Sequence, residues 1–152
     1  MPTDDHEQIR QLKYRYLRTL DLKDWEGFAD CFVPEATGDY AGLVLDSRDA
    51  LVSFMRENMG PGLISMHHAH HPEIAVDGDR ATGLWYLEDR VIVPDHSFVL
   101  EGAAFHTDRY VRTPGGWRIM QTGYERTYEV TFSTADWASF TVKRGRAYDA
   151  LT

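Results

Sequence analysis

The stretch "SMHHAHHPEIAV", Ser65 to Val76, carries four of the chain's seven histidines, at positions 67, 68, 70 and 71. Imidazole changes charge near neutral pH, so such a cluster suits either metal binding or proton transfer. A zinc site wants three or four convergent ligands. In an extended strand, alternation sets His67 and His71 on one face and His68 and His70 on the other. Two ligands per face, with no third marked by spacing, make a weak metal site, and none is expected. A general base needs only one imidazole and an acid to orient it. Asp21 is the candidate acid. It falls at the C-terminal end of an amphipathic helix, where the helix dipole disfavours a negative charge, and folding gives no reason for it there.

Which histidine faces inward depends on the backbone at Pro72. Strict alternation groups His68 and His70 with Ile74 and Val76, the core face. Proline cannot donate to a strand ladder and often marks an edge or a bulge. A bulge before Pro72 would swap the parity and turn His67 inward. The pattern leaves both arrangements open.

Other side chains could complete a site. Tyr16 lies five residues before Asp21 on the apolar stripe. It either fills the core or presents its phenol to a substrate oxygen. His106, in "AAFHTDRY", is a second pocket histidine or an exposed one. Arg126, in "GYERTYEV", shares parity with Tyr124; it makes a salt bridge or holds a carboxylate or enolate oxygen. Trp85 and Tyr124 are the aromatic rings placed against a substrate, although Trp85, with Tyr86 and Trp117, also suits core or interface.

These residues need elements to hold them. Ile9, Leu12, Tyr16, Leu17 and Leu20 follow helical spacing, with Arg10, Arg15 and Arg18 elsewhere on the wheel, so a helix is expected over about residues 5–21. Asp24 caps a short helix bearing Trp25, Phe28 and Phe32. "VPEATGDYAG" reads as a loop leading to a short strand near Tyr40. Ser47 caps a third helix, "RDALVSFMRENM", which stops at "GPG". Two hairpins follow, one turning at Asp77-Gly78 and a longer one at Pro114 to Gly116. The final stretch, "STADWASFTVKRGRAYDALT", is an aromatic tail suited to packing on the body. Helices first and long meandering strands after give an α+β layout. The expected form is a cone: a strongly curved antiparallel or mixed sheet with about three N-terminal helices on its concave face. Its mouth would suit a small apolar molecule.

Composition bounds the partners. One domain is expected over residues 1–152, and 43% hydrophobic with 12% aromatic residues is enough for a core. A formal charge of −8 argues against nucleic acid or an anionic membrane as the main partner. No apolar run is long enough to span a bilayer, and "MPTDDHEQ" is the opposite of a signal peptide. Cys31 is the single cysteine, which excludes an intrachain disulfide. A cytoplasmic location is expected. An open antiparallel sheet leaves one face to cover, so a homodimer or homotrimer is expected too.

Three stretches carry a family resemblance: "IRQLKYRYLRTLDLKDWEGFADCFVPEA", "HHAHHPEIAVDGDRATGLWYLED" and "YVRTPGGWRI". Together with the strand spacing they resemble the SnoaL-like branch of the nuclear-transport-factor-2-like, cystatin-like superfamily. Scytalone dehydratase, bile-acid dehydratase and hexachlorocyclohexane dehydrochlorinase are similar enzymes. They pair an aspartate ending the first helix with a histidine opening the first hairpin. The resemblance puts the aspartate at Asp21 and the histidine at His67. It puts a hydroxyl-bearing residue at Tyr16 and a substrate-orienting tyrosine at Tyr40. The second histidine of scytalone dehydratase falls on Ala103 here, and the tyrosine before its aspartate falls on Leu20.

The reading that follows is a cofactor-free lyase or isomerase of the dehydratase type. His67 is its base and Asp21 fixes the tautomer. Tyr16 acts on an oxygen, with Tyr40, His106, Arg126, Tyr124 and Trp85 against the substrate. The ligand is a small apolar or aromatic ring molecule, such as a polyketide, steroid or terpenoid. The alternative is a non-catalytic ligand-binding or oligomer-assembly module of the same fold, with a metalloenzyme built on "HHAHH" as a further rival.

Overall fold

The computed structural model describes residues 3–149. Helix α1 spans Asp5–Leu22 and buries Ile9, Leu12, Tyr16, Leu17 and Leu20, the stripe set by the 3.6-residue repeat. It ends where Lys23 turns left-handed, at φ 58°; the Lys23 N–H donates to the Leu20 carbonyl and the Asp24 N–H to the Thr19 carbonyl. Helix α2, Trp25–Ala29, starts on Asp24, whose side chain accepts from the Gly27 N–H. Strands β1 (Phe32–Tyr40) and β2 (Leu43–Leu45) form a small antiparallel pair. Helix α3, Arg48–Asn58, is capped by Ser47 accepting from the Ala50 N–H.

The long strands follow: β3 (Ile64–Asp77), β4 (Arg80–Val93), β5 (Phe98–Thr113) and β6 (Gly116–Ser133). They form an open six-stranded sheet in the order β2-β1-β6-β5-β4-β3. The β1–β6 pair is parallel and every other pair antiparallel, so the sheet is mixed. Helices pack on it as an α+β domain requires, and the core lies between them, with Ile9, Tyr16, Phe28, Ala36, Leu51, Ala104, Tyr110 and Ile119 almost fully buried. Among the described residues no helix is long and apolar enough to cross a membrane.

Two expectations are corrected. The segment after α2 is not a loop: β1 is nine residues long and begins at Phe32, which the short helix does not reach. Its pairing with β6 breaks between Phe32 and Thr37, and Pro34 falls in that irregular stretch. A parallel strand whose partner lies some eighty positions later gives no local signal. The described residues also hold four α-helices: the three N-terminal ones expected and one further turn at Arg146–Asp149. The aromatic tail does pack on the body. Trp137 stacks on Phe132 at 5.3 Å, and the Tyr148 hydroxyl donates to the Ser65 carbonyl at 3.0 Å.

Register decides which side chains face inward. Between Ala69 and Pro72, β3 advances three residues while β4 advances two, from Leu87 to Trp85. The extra residue is a bulge at His70–His71, just before the proline. Before it, Ser65, His67 and Ala69 face the helices. After it, Pro72, Ile74 and Val76 do, and His68, His70 and His71 lie on the exposed side. Strand β6 carries two comparable shifts, opposite Ala103/Ala104 and opposite Arg109/Tyr110.

Candidate active site

The last turn of α1 lies against the start of β3. There the Asp21 carboxylate takes three hydrogen bonds: from the Ser65 hydroxyl at 2.8 Å, from the His67 backbone N–H at 3.0 Å and, through Oδ1, with His67 Nδ1 at 2.6 Å. A carboxylate on Nδ1 makes that nitrogen the protonated one. The lone pair then falls on Nε2, as a general base requires. The acid and the histidine placed together by the resemblance do meet, and the bulge makes it His67 that turns inward.

His67 lines a cavity of about 180 Å³ between the sheet and helices α1 and α3. Its apolar wall comes from Leu20 of α1, Phe54, Met55 and Met59 at the α3 end, and Leu87, Val91 and Ala104 of the sheet. The polar groups at it are Tyr16, Tyr40, Asn58, Asp89, His106, Tyr124 and Arg126. The Tyr16 and Tyr40 hydroxyls lie 3.1 Å apart, both rings buried. Burial pushes both phenols above their ordinary pKa, so they are neutral hydroxyl groups. Tyr40 stacks on Tyr124 at 5.3 Å, and Tyr124 on His106 at 5.5 Å, which makes one aromatic wall.

Arg126 lines the cavity but its guanidinium is already engaged. Two parallel bonds of 2.8 Å join it to Asp89, and Nε lies 3.0 Å from Glu129. It takes the salt-bridge reading of its two expected roles. To reach β4 from β6 it crosses β5 at Gly102, which pairs with both Asp89 and Glu129. A Cβ there would lie 2.5 Å from Arg126 Nη1, so glycine makes the crossing possible.

Trp85 is corrected outright. It is fully buried, does not line the cavity, and its indole N–H donates to the Tyr110 hydroxyl at 2.9 Å. Its inward position on β4 lies toward the other end of the sheet from His67. The histidine cluster divides as the bulge dictates. His68 and His70 flank Glu88 on the exposed face, at 3.4 and 3.2 Å, and among the described residues no three His, Cys, Asp or Glu side chains converge as a metal site.

The sequence reading missed a buried polar network behind the cavity. Lys13 is wholly buried, donates to Asp108 at 2.7 Å and lies 3.0 Å from His106 Nδ1. Asp108, also wholly buried, accepts from the Tyr110 hydroxyl at 2.8 Å and the Thr122 hydroxyl at 2.7 Å. The signal was present: position 13 stands four residues after Ile9 and four before Leu17, on the apolar stripe, and a lysine there needs a buried partner. Likewise Asp108 shares parity with His106 and Tyr110 on β5. Desolvation first, then the charges of Lys13, His67 and Arg126, hold the His106 imidazole well below its usual pKa, so it is neutral.

Known proteins share this architecture. A hexachlorocyclohexane dehydrochlorinase, LinA-type3, from Novosphingobium barchaimii superposes with a TM-score of 0.77 at 15% identity, covering 92% of this chain and 94% of that one. A scytalone dehydratase-like protein from Novosphingobium aromaticivorans gives 0.76 at 17% identity, covering 82% and 85%. At those identities the likeness establishes the fold. In sequence, the chain is 28% identical over 120 residues to the uncharacterized protein Rv2910c of Mycobacterium tuberculosis, covering 77% of this chain and 82% of that protein. The family model of the SnoaL-like domain matches residues 2–122, well over half the chain. The curved sheet, the helices over it and that match agree: the chain belongs to the SnoaL-like domain family.

Proposed function

We propose that this protein is a lyase or isomerase that acts on a small, mainly apolar ring compound by general base catalysis, with no cofactor. The observation that carries the reading is the 2.6 Å contact between Asp21 and His67 at the wall of an apolar cavity. Asp21 holds the imidazole in one tautomer and stabilises the imidazolium that forms. His67 Nε2 removes a proton from carbon, next to a carbonyl or beside a carbon that bears a leaving group. The Tyr16–Tyr40 hydroxyl pair takes the developing oxyanion or protonates a departing hydroxyl.

Such a base supplies about 10²–10⁴-fold in rate. Positioning in the cavity and its electrostatics supply the remainder. An apolar cavity of about 150 Å³ holds a benzene ring, so about 180 Å³ suits one substituted ring, with any larger skeleton extending past the α3 end. The names of the fold neighbours, a dehydrochlorinase and a dehydratase-like protein, support elimination as the reaction type.

The test needs no natural substrate. A panel of ring ketones, headed by 1-indanone and 2-cyclohexenone, is incubated with the protein in deuterium oxide and followed by NMR. The wild type is expected to label the acidic carbon well above the buffer rate. His67→Ala and Asp21→Asn should each lose about a hundredfold or more while their circular dichroism is unchanged. Equal labelling by all three proteins, or none by the wild type across the panel, removes the reading.

A further inference from the structure

The two histidines at the cavity have Nδ1 partners of opposite kind. His67 Nδ1 meets a carboxylate, Asp21, at 2.6 Å. His106 Nδ1 meets an amine, Lys13 Nζ, at 3.0 Å. Asp108 decides the charge on that amine. It receives three hydrogen bonds, from Lys13, Tyr110 and Thr122, as an ionised carboxylate does. An ionised carboxylate with no exposure requires a cation beside it, and Lys13 at 2.7 Å is that cation. An ammonium has three N–H donors and no acceptor. His106 Nδ1 must therefore accept, and the ring's single proton sits on Nε2. That nitrogen has no hydrogen-bond partner among the described residues and is not sealed off from the cavity that His106 lines.

The geometry points to His106 as a fixed hydrogen-bond donor to a carbonyl oxygen of the substrate, with Lys13 as the residue that positions its proton. The cavity thus has a base at one wall, His67 Nε2, and a neutral N–H donor at another, His106 Nε2. A ligand matched to both has an acidic C–H and a carbonyl acceptor: an enolisable ring ketone. This inference rests on the proposed base catalysis for its meaning and deepens it by naming the substrate class.

The step balances without a co-reactant. The C–H proton passes to His67 Nε2. The C–H electron pair becomes the new C=C bond, and the C=O π pair moves onto oxygen. The enolate oxygen so formed accepts from His106 Nε2–H, a bond that strengthens as charge develops. A neutral imidazole suits this role. It donates without neutralising the enolate by proton transfer, and burial and the adjacent ammonium keep it neutral.

Two measurements test it, and neither depends on turnover. The first is the ¹⁵N spectrum of the imidazoles in the full-length wild type at neutral pH. His106 should show a protonated Nε2 and an unprotonated Nδ1, and His67 the reverse. An Nδ1-protonated or doubly protonated His106 overturns the proposal. The second is the infrared carbonyl stretch of added 1-indanone. It should shift to lower frequency on binding the wild type. His106→Gln, whose amide N–H reaches the same point, should keep the shift. His106→Leu should lose it and bind about tenfold or more weakly. No binding to the wild type, or the same shift in His106→Leu, overturns the donor role. If these outcomes hold while deuterium labelling survives His67→Ala, the donor stands and the base assignment falls; the converse result separates them the other way.

Discussion

Lys13 and Asp108 are the two charges that the fold could least tolerate alone. Each is wholly buried, and they meet at 2.7 Å. Desolvation pulls the lysine below its ordinary pKa, and Asp108 opposes that pull. Replacing one partner leaves the other as an unpaired buried charge, which costs about 3–5 kcal/mol. Lys13→Met and Asp108→Asn are each expected to destabilise by that order in urea unfolding. The double variant should cost clearly less than the two single losses added together. Additive losses would mean that the two residues act separately. At this scale the sequence singled out residues that stood out within their own helix. Asp21 was visible because it broke a helix-end rule, and Tyr16 because of its spacing from that aspartate. Lys13 was hidden in plain view, since an isolated lysine on a helix reads as solvated until Asp108, ninety-five residues later, is placed beside it. Trp85 failed for the complementary reason: a large ring on an inward strand position is legible as buried, but not as near one end of the sheet or the other.

Strand β3 shows how an element converts composition into a site. Four histidines in five positions are ambiguous until the backbone sets their faces. The residue that does so is Pro72, which lacks the N–H a ladder would use and sits just after the extra residue. The proline left two arrangements open in the sequence, and the bulge before it turns His67 inward. Removing the extra residue should leave that face unchanged, because His67 and Pro72 would then stand four positions apart and plain alternation turns both inward. Deletion of His70 is expected to remove the bulge, keep the hairpin in register and preserve deuterium labelling of ring ketones. A deletion variant that folds but no longer labels would contradict the placing of the extra residue at His70–His71. Strand β1 was read as a loop because Pro34, Gly38 and Asp39 are poor strand formers. It is held by long-range pairing to β6, from Thr37–Gln121 to Tyr40–Tyr124, a partnership with no local trace.

For the whole molecule, pH dependence follows from the buried imidazole. His106 has its folded-state pKa depressed, chiefly by desolvation. Its contribution to stability is therefore complete above the unfolded value of 6.5 and is lost as pH falls below it, because the unfolded chain takes up a proton that the folded one refuses. Stability in urea should fall by up to about 1.4 kcal/mol per pH unit on that account. His106→Gln should flatten this part of the profile while leaving the acid limb below about pH 4. Asp5 contributes to that limb in the same sense. Its hydrogen bonds from Arg112 and Trp117 lower its pKa to about 2, so what it adds is present above the ordinary carboxylate range and disappears on acidification toward that value. An unchanged profile in His106→Gln would show that the imidazole titrates alike in both states. The fold class and the order of helices before hairpins were legible in the chain's periodicities. The cavity was legible only as an expectation of the cone, because its lining is drawn from seven separate elements.

The passage of Arg126 across β5 has a bearing on how the chain finds its alignment. A two-residue slip is the smallest error that keeps inner and outer faces correct in an antiparallel sheet. Here it would bring Leu100 or Ala104 beneath the guanidinium, where only Gly102 leaves room. The missing side chain therefore works as a keyway. It admits one alignment of three strands at once and turns away the near-misses that alternation alone would accept.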